Sequence, residues 1–195
     1  MSTLNVAALQ DVDGAGSKAT LPITGSNFTL GPGWGAWEFV SGNDISAATN
    51  LDITGFATGY DYHVSIQGGR PATDGVNLLA RLSQSTTFNT GSSYGDSRAA
   101  NSTSIRIGGN VFGNASTEAI GMDIIIQEPN VGSRQKFVLA SHSMASYTDG
   151  LVYDAGHAGG SFIANENAVD GIRLFFSSGD WTANGKCYVF RRRLS

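Results

Sequence analysis

The stretch Tyr60-Asp61-Tyr62-His63-Val64-Ser65-Ile66-Gln67 decides the fold class. Tyr60, Tyr62, Val64 and Ile66 alternate with Asp61, His63, Ser65 and Gln67. Successive side chains of an extended chain point to opposite faces, so this period of two marks a half-buried strand. The pattern recurs where Ile120, Met122, Ile124 and Ile126 alternate with Gly121, Asp123, Ile125 and Gln127. It recurs again where Ile172, Leu174 and Phe176 flank Arg173 and Phe175. Shorter strand-like runs span residues 36–41, 51–54, 76–83, 103–107, 136–141, 151–153 and 186–191. Asp74-Gly75, Asp149-Gly150 and Asp170-Gly171 each precede such a run, as turn residues should. The run Asn165 to Val169 suits one helical turn at most.

Composition agrees with the pattern. The chain has 195 residues, 26 of them Gly, and only 14% are charged, against a usual share of roughly 25%. Lys and Glu, which cover the exposed faces of helices, are scarce. The 41% hydrophobic content is too high for a disordered chain. An all-β chain follows, and the expected architecture is an antiparallel two-sheet jelly-roll sandwich with an extended N-terminal arm. Long loops expected near residues 84–101 and 154–168 favour a jelly roll over a tight meander. No internal repeat points to a propeller or solenoid. Residues 1–33 carry few large apolar side chains and read as an arm; the other reading is a first strand and long loop of the same domain. Residues 34–195 form the sandwich.

Net charge is −4 and no basic stripe follows the chain, which excludes ordinary nucleic-acid binding. The one basic run is Arg191, Arg192 and Arg193. It is either a solvated tail or a contact for an acidic protein surface. Cys187 stands alone, so no intrachain disulfide forms, and its strand-like setting makes it a small buried hydrophobe. No Cys/His spacing suits zinc. Asp11-x-Asp13-Gly14 lacks the further ligands of a calcium loop. No metal or cofactor is expected. Met1 to Asn5 does not read as a signal peptide, and no apolar run approaches the ~20 residues that span a membrane.

Catalytic constellations are weak. The histidines are His63, His142 and His157. Ser143, His142 or His157, and Asp154 assemble into a triad only on paper, and no G-x-S-x-G elbow exists. Nothing in the sequence pairs the carboxylates Glu38, Asp61, Asp123, Glu128 and Asp170 for glycoside cleavage. Gly68-Gly69-Arg70 and Gly108-Gly109-Asn110 read as hairpin turns, since neither precedes a helix able to hold phosphate. Trp34, Trp37 and Trp181 flank loops. They either stack on a sugar or partner, or fill the core edge or an interface.

Two segments carry a resemblance. The first is Gly69-Arg70-Pro71-Ala72-Thr73-Asp74-Gly75-Val76-Asn77-Leu78-Leu79-Ala80-Arg81-Leu82-Ser83. The second is Ala168-Val169-Asp170-Gly171-Ile172-Arg173-Leu174-Phe175-Phe176-Ser177-Ser178-Gly179-Asp180-Trp181, followed by the strand from Lys186 to Phe190. Between them lies the apolar strand from Ala119 to Asn130. This order is similar to a β-sandwich module of tailed-bacteriophage virion proteins, over about residues 35 to 192. Trp181 departs from the aliphatic residue more usual there. The resemblance implies a non-enzymatic virion surface protein, assembled in the host bacterial cytoplasm and often homotrimeric. Capsid decoration or a head-fibre component is the leading expectation. Residues 1–33 would then contact the major capsid protein or another virion protein. The alternative is a tail-fibre or receptor-binding module that recognises a host surface glycan.

Overall fold

The computed structural model describes residues 37–96, 101–108, 112–146, 152–163 and 166–194. The arm expected over residues 1–33, and Trp34, lie outside them. The regular elements among the described residues are all β-strands. In chain order they are β1 (Glu38–Asp44), β2 (Asn50–Thr54), β3 (Tyr60–Gly69), β4 (Leu78–Gln84), β5 (Thr87–Phe88) and β6 (Tyr94–Asp96). They continue as β7 (Ile105–Arg106), β8 (Ile120–Ile126), β9 (Lys136–Ser146), β10 (Val152–Phe162), β11 (Gly171–Phe176) and β12 (Lys186–Arg193).

These strands form two antiparallel sheets. The larger has seven strands in the order β1-β12-β3-β8-β9-β10-β6. The smaller runs β2-β11-β4-β5, and β7 also pairs with β4. Taking β5 and β7 as one interrupted strand, and setting aside β6 and the β9–β10 hairpin, leaves eight strands. Their order is first-eighth-third-sixth in one sheet and second-seventh-fourth-fifth in the other. That is the jelly roll. The β9–β10 hairpin widens the larger sheet beyond the eight, and β6 pairs with β10 at its far edge.

Alternation decides what lies between the sheets. Val64, Ile66, Ile124, Ile126 and Val138 of the larger sheet are fully buried, as are Leu78, Leu82, Ile172 and Leu174 of the smaller. Burial of each such side chain contributes about 1.5–3 kcal/mol. Tyr94 is buried beside the Phe162 ring, with centroids 5.2 Å apart. Its hydroxyl accepts from the Leu82 N–H at 3.0 Å and donates to the Asn89 carbonyl at 3.1 Å. It therefore ties β6 of the larger sheet to β4 of the smaller. Lys136 is also buried, its ammonium donating to the Val131 and Arg134 carbonyls. That burial lowers its pKa from the ordinary value.

Three local expectations change. The loop expected near residues 154–168 is largely strand, because β10 runs on to Phe162. Its Ala and Gly residues have poor strand propensity, yet the packing needs them. A Cβ on Gly159 would run into the Val138 carbonyl, and one on Gly160 into the Gly95 carbonyl. Gly68-Gly69 is the irregular end of β3, with a register shift between Gln67 and Gly69, rather than a hairpin turn. The loop near residues 84–101 contains β5 and β6. No helical turn occurs among the described residues of the 165–169 run.

Candidate functional site

The outer face of the larger sheet carries the most distinctive chemistry. Strand register arranges its outward side chains in rows across the sheet, with successive rows about 7 Å apart along the strands. One row runs Phe39, Phe190, His63, Ile125, Leu139 and Gly159. Phe39 is 59% exposed and Leu139 55%. Phe137, one row further along β9, is 48% exposed, and Val40 and Ile163 are also exposed. These residues form an apolar band. Its aromatic end is ordered: Phe39 meets Phe190 edge-on at 5.8 Å, and His63 stacks on Phe190 at 5.5 Å.

The next row in the other direction is polar: Tyr188, Ser65, Asp123, Ser141 and His157. His63 reaches diagonally from the apolar row to Asp123, with Nε2 2.8 Å from Oδ1. Ser141 Oγ lies 2.9 Å from His157 Nδ1. One row further come Asp44, Lys186, Gln67, Gly121 and Ser143. Lys186 Nζ donates to Asp44 Oδ1 at 2.5 Å. The missing side chain at Gly121 leaves a groove of about 340 Å³ between β3, β8 and β9. A second depression of about 490 Å³ adjoins it at Gln67 and continues over Asn184 and Lys186.

The residues singled out from sequence fall into several settings. Trp37 sits half-buried beside this face, its ring edge-on to His63 at 5.3 Å. Trp181 is only 1% exposed, packs on Phe176 at 4.5 Å and donates its indole N–H to the Leu174 carbonyl. It fills the core and presents no ring to a ligand. Arg191 and Arg192 are not a solvated tail; they belong to β12. Arg191 forks onto Glu38 at 2.9 and 3.2 Å, and its guanidinium lies over the Tyr60 ring. That pairing holds the Glu38 carboxyl below its ordinary pKa. Arg192 binds the buried Asp61 at 2.6 Å and lies over Trp37. Arg193 ends the strand, exposed.

The carboxylates do not face one another as a hydrolytic pair. Asp61 holds Arg192, Asp123 holds His63, and Glu128 holds Arg134 at 2.6 Å. Asp170 accepts from Ser83 Oγ at 2.5 Å and the Thr86 N–H at 2.8 Å. His142 points into the sandwich, 5% exposed, on the opposite face from Ser141 and Ser143. Among the described residues no three His, Cys, Asp or Glu side chains group to hold a metal ion, and no helix is long and apolar enough to cross a membrane.

Sequence reading did not foresee the Asp123–His63 and Ser141–His157 contacts. Each joins different strands, and only the register of β3, β8, β9 and β10 brings the partners together. Alternation does put His63, Ser65 and Asp123 on outward positions, which is the one local signal. Comparison with known protein families, curated proteins and solved structures found no match.

Proposed function

We propose that this chain is a non-enzymatic structural component of a tailed-bacteriophage particle, carried on its surface as a capsid-decorating or head-fibre protein. In this reading it self-associates as a homotrimer, and residues 1–33 attach it to the major capsid protein or another virion protein. The observation that carries the reading is the apolar band of Phe39, Leu139, Phe137 and Ile163. Monomeric proteins rarely leave such contiguous apolar surface in water, and it suits an interface between copies. The phage setting comes from the resemblance of residues 69–83 and 168–190 and the strand between them. The jelly roll recurs in viral capsid proteins, which is an analogy of fold and not an argument from a site.

A particle-incorporation experiment tests this. Particles produced with the full chain, and with the chain lacking residues 1–30, are purified and imaged, and each protein is weighed in solution. The full chain is expected on the particle surface. The truncated chain is expected to remain folded and oligomeric but to be missing from particles. A truncated chain that unfolds would make the segment part of the core. Absence of the full chain from particles would overturn the assignment.

A further inference from the structure

We infer that Asn184 is a site of spontaneous covalent modification, converted by its own neighbour Gly185 and by water into aspartate and isoaspartate. The inference goes beyond the particle role proposed above and holds for the isolated chain.

The chemistry is an intramolecular ring closure, favoured because both reacting groups belong to adjacent residues. The Gly185 amide nitrogen gives up its proton to hydroxide and attacks Cγ of Asn184. The new C–N bond closes a succinimide, and the side-chain nitrogen leaves as ammonia. Water then opens the ring. Cleavage of the bond to Cγ leaves aspartate. Cleavage of the bond to the main-chain carbonyl carbon leaves isoaspartate, in which the chain runs through the former side chain. The net change consumes a water and releases an ammonia, and needs no other reactant.

The sequence contains a single Asn-Gly pair, Asn184-Gly185, and glycine has no side chain to crowd the attacking nitrogen. Asn184 is exposed in the turn between β11 and β12, at an open depression shared with Gln67 and Lys186. Water therefore reaches it freely. Neither the Asn184 side chain nor the Gly185 N–H has a hydrogen-bond partner among the described residues. An amide already bonded would first have to be freed. Comparable positions are held. Asp74, before Gly75, accepts from the Asn114 N–H at 3.0 Å. Asp170 accepts from Ser83 and Thr86, and Gly171 after it lies in β11, paired on both sides. Asn89 Oδ1 accepts from the Gly91 N–H at 2.8 Å, and Asn114 Nδ2 donates to the Ala72 carbonyl at 3.2 Å.

The two products load the fold differently. Aspartate adds only a carboxylate near the exposed Lys186–Asp44 pair. Isoaspartate adds a main-chain carbon where the backbone is close-packed. A Cβ on Gly185 would already come within 2.6 Å of the Gly68 carbonyl carbon and the Gly69 nitrogen. The Gly185 carbonyl also accepts from the N–H of buried Ile45 at 3.0 Å, just past the end of β1. Isoaspartate at 184 therefore loosens that end of β1 on β12.

The test incubates the folded full chain in mildly alkaline buffer and follows each asparagine by peptide mass spectrometry. The Asn184 peptide is expected to gain about one mass unit, faster as pH rises, with isoaspartate confirmed by enzymatic methylation. Asn89 and Asn114, whose side chains must first leave a hydrogen bond, are expected to convert at least about tenfold more slowly. Asn184→Gln, which would need a larger ring, is expected to keep its mass and unfold at the parent temperature. Asn184→Asp, measured fresh, is expected to unfold there too, whereas chains carrying isoaspartate unfold at a lower temperature. The inference is overturned if Asn184 in the folded chain keeps its mass while a free peptide of the same sequence converts. It is equally overturned if Asn89 or Asn114 converts as fast. Isoaspartate chains as stable as the parent would overturn the loosening of β1.

Discussion

The two outer faces of the sandwich solve the same problem differently. Each sheet carries aromatic rings on its outward positions. On the smaller sheet those rings are covered from within. The Arg81 guanidinium lies 4.5 Å over Phe175, and that of Arg173 lies 4.2 Å over Phe88. Arg173 also clamps Asp52 through two bonds of 2.7 Å, which fixes it in place. On the outer face of the larger sheet Arg192 covers only Trp37, at one edge. Phe137 and Leu139 stand bare further across. All the large apolar side chains exposed among the described residues lie on this sheet or just past the end of β10. An outward aromatic is therefore no sign of an interface by itself. What distinguishes the faces is whether the chain supplies its own cover.

The sharpest way to break this comparison is to charge the bare face. Phe137→Asp combined with Leu139→Asp is expected to reduce the proposed oligomer to a monomer in sedimentation equilibrium while the β-rich circular dichroism persists. Each of those side chains contributes about 1.5–3 kcal/mol when buried in an interface, and a buried, unpaired carboxylate adds a further penalty. A parent chain that is already monomeric would show that the bare face is not a self-interface.

A second experiment compares the inside of the larger sheet with its outside. Inside, Cys187 and Tyr94 are buried, and desolvation pushes the thiol up to about 11 and the phenol up to about 12. Ordinary values are 9.0 and 10.0. Above about pH 9 the unfolded chain thus holds fewer protons than the folded one. Stability is expected to be full below that pH and to fall as pH rises through the folded values. Denaturant titrations across alkaline pH measure it, and Cys187→Ala should flatten the first part of the fall. A native chain that reacts readily with a thiol reagent near neutral pH would contradict the burial of Cys187.

The smallest effect belongs to the covered face. Arg173→Ala removes the Asp52 clamp and the cover over Phe88. A loss of about 1 kcal/mol is expected in denaturant titration, since exposed pairs and cation–π contacts are each worth that or less. The mass in solution should not change. If it rises, Phe88 becomes a second sticky spot once uncovered, and the two faces differ only by their arginine cover.

Much of this architecture is legible in the sequence. The alternation at residues 60–67, 120–127 and 172–176 put Val64, Ile124 and Leu174 in the core and His63, Asp123 and Arg173 outside it. β10 was not legible, because its Gly and Ala residues are chosen for close backbone approach and not for strand propensity. The interruption of the fifth jelly-roll strand by β6 was hidden in a segment of turn-forming residues. The role of Trp181 stayed open in the sequence, since a tryptophan beside a loop serves a core or a ligand equally well.

The sequence by itself determined which residues face inward and which outward, because period-two patterning is a property of each strand alone. It also determined that the chain is all-β, since its turn-forming, charge-poor composition leaves helices little to build on. Only the tertiary structure decided which outward residues become neighbours. Arg173 meets Asp52 from 121 positions away, and His63 meets Asp123 from 60. Such partners are fixed by jelly-roll strand order and register, which bring distant segments side by side. For that reason the covered face, the bare band and the groove over Gly121 exist only once the sheets are assembled.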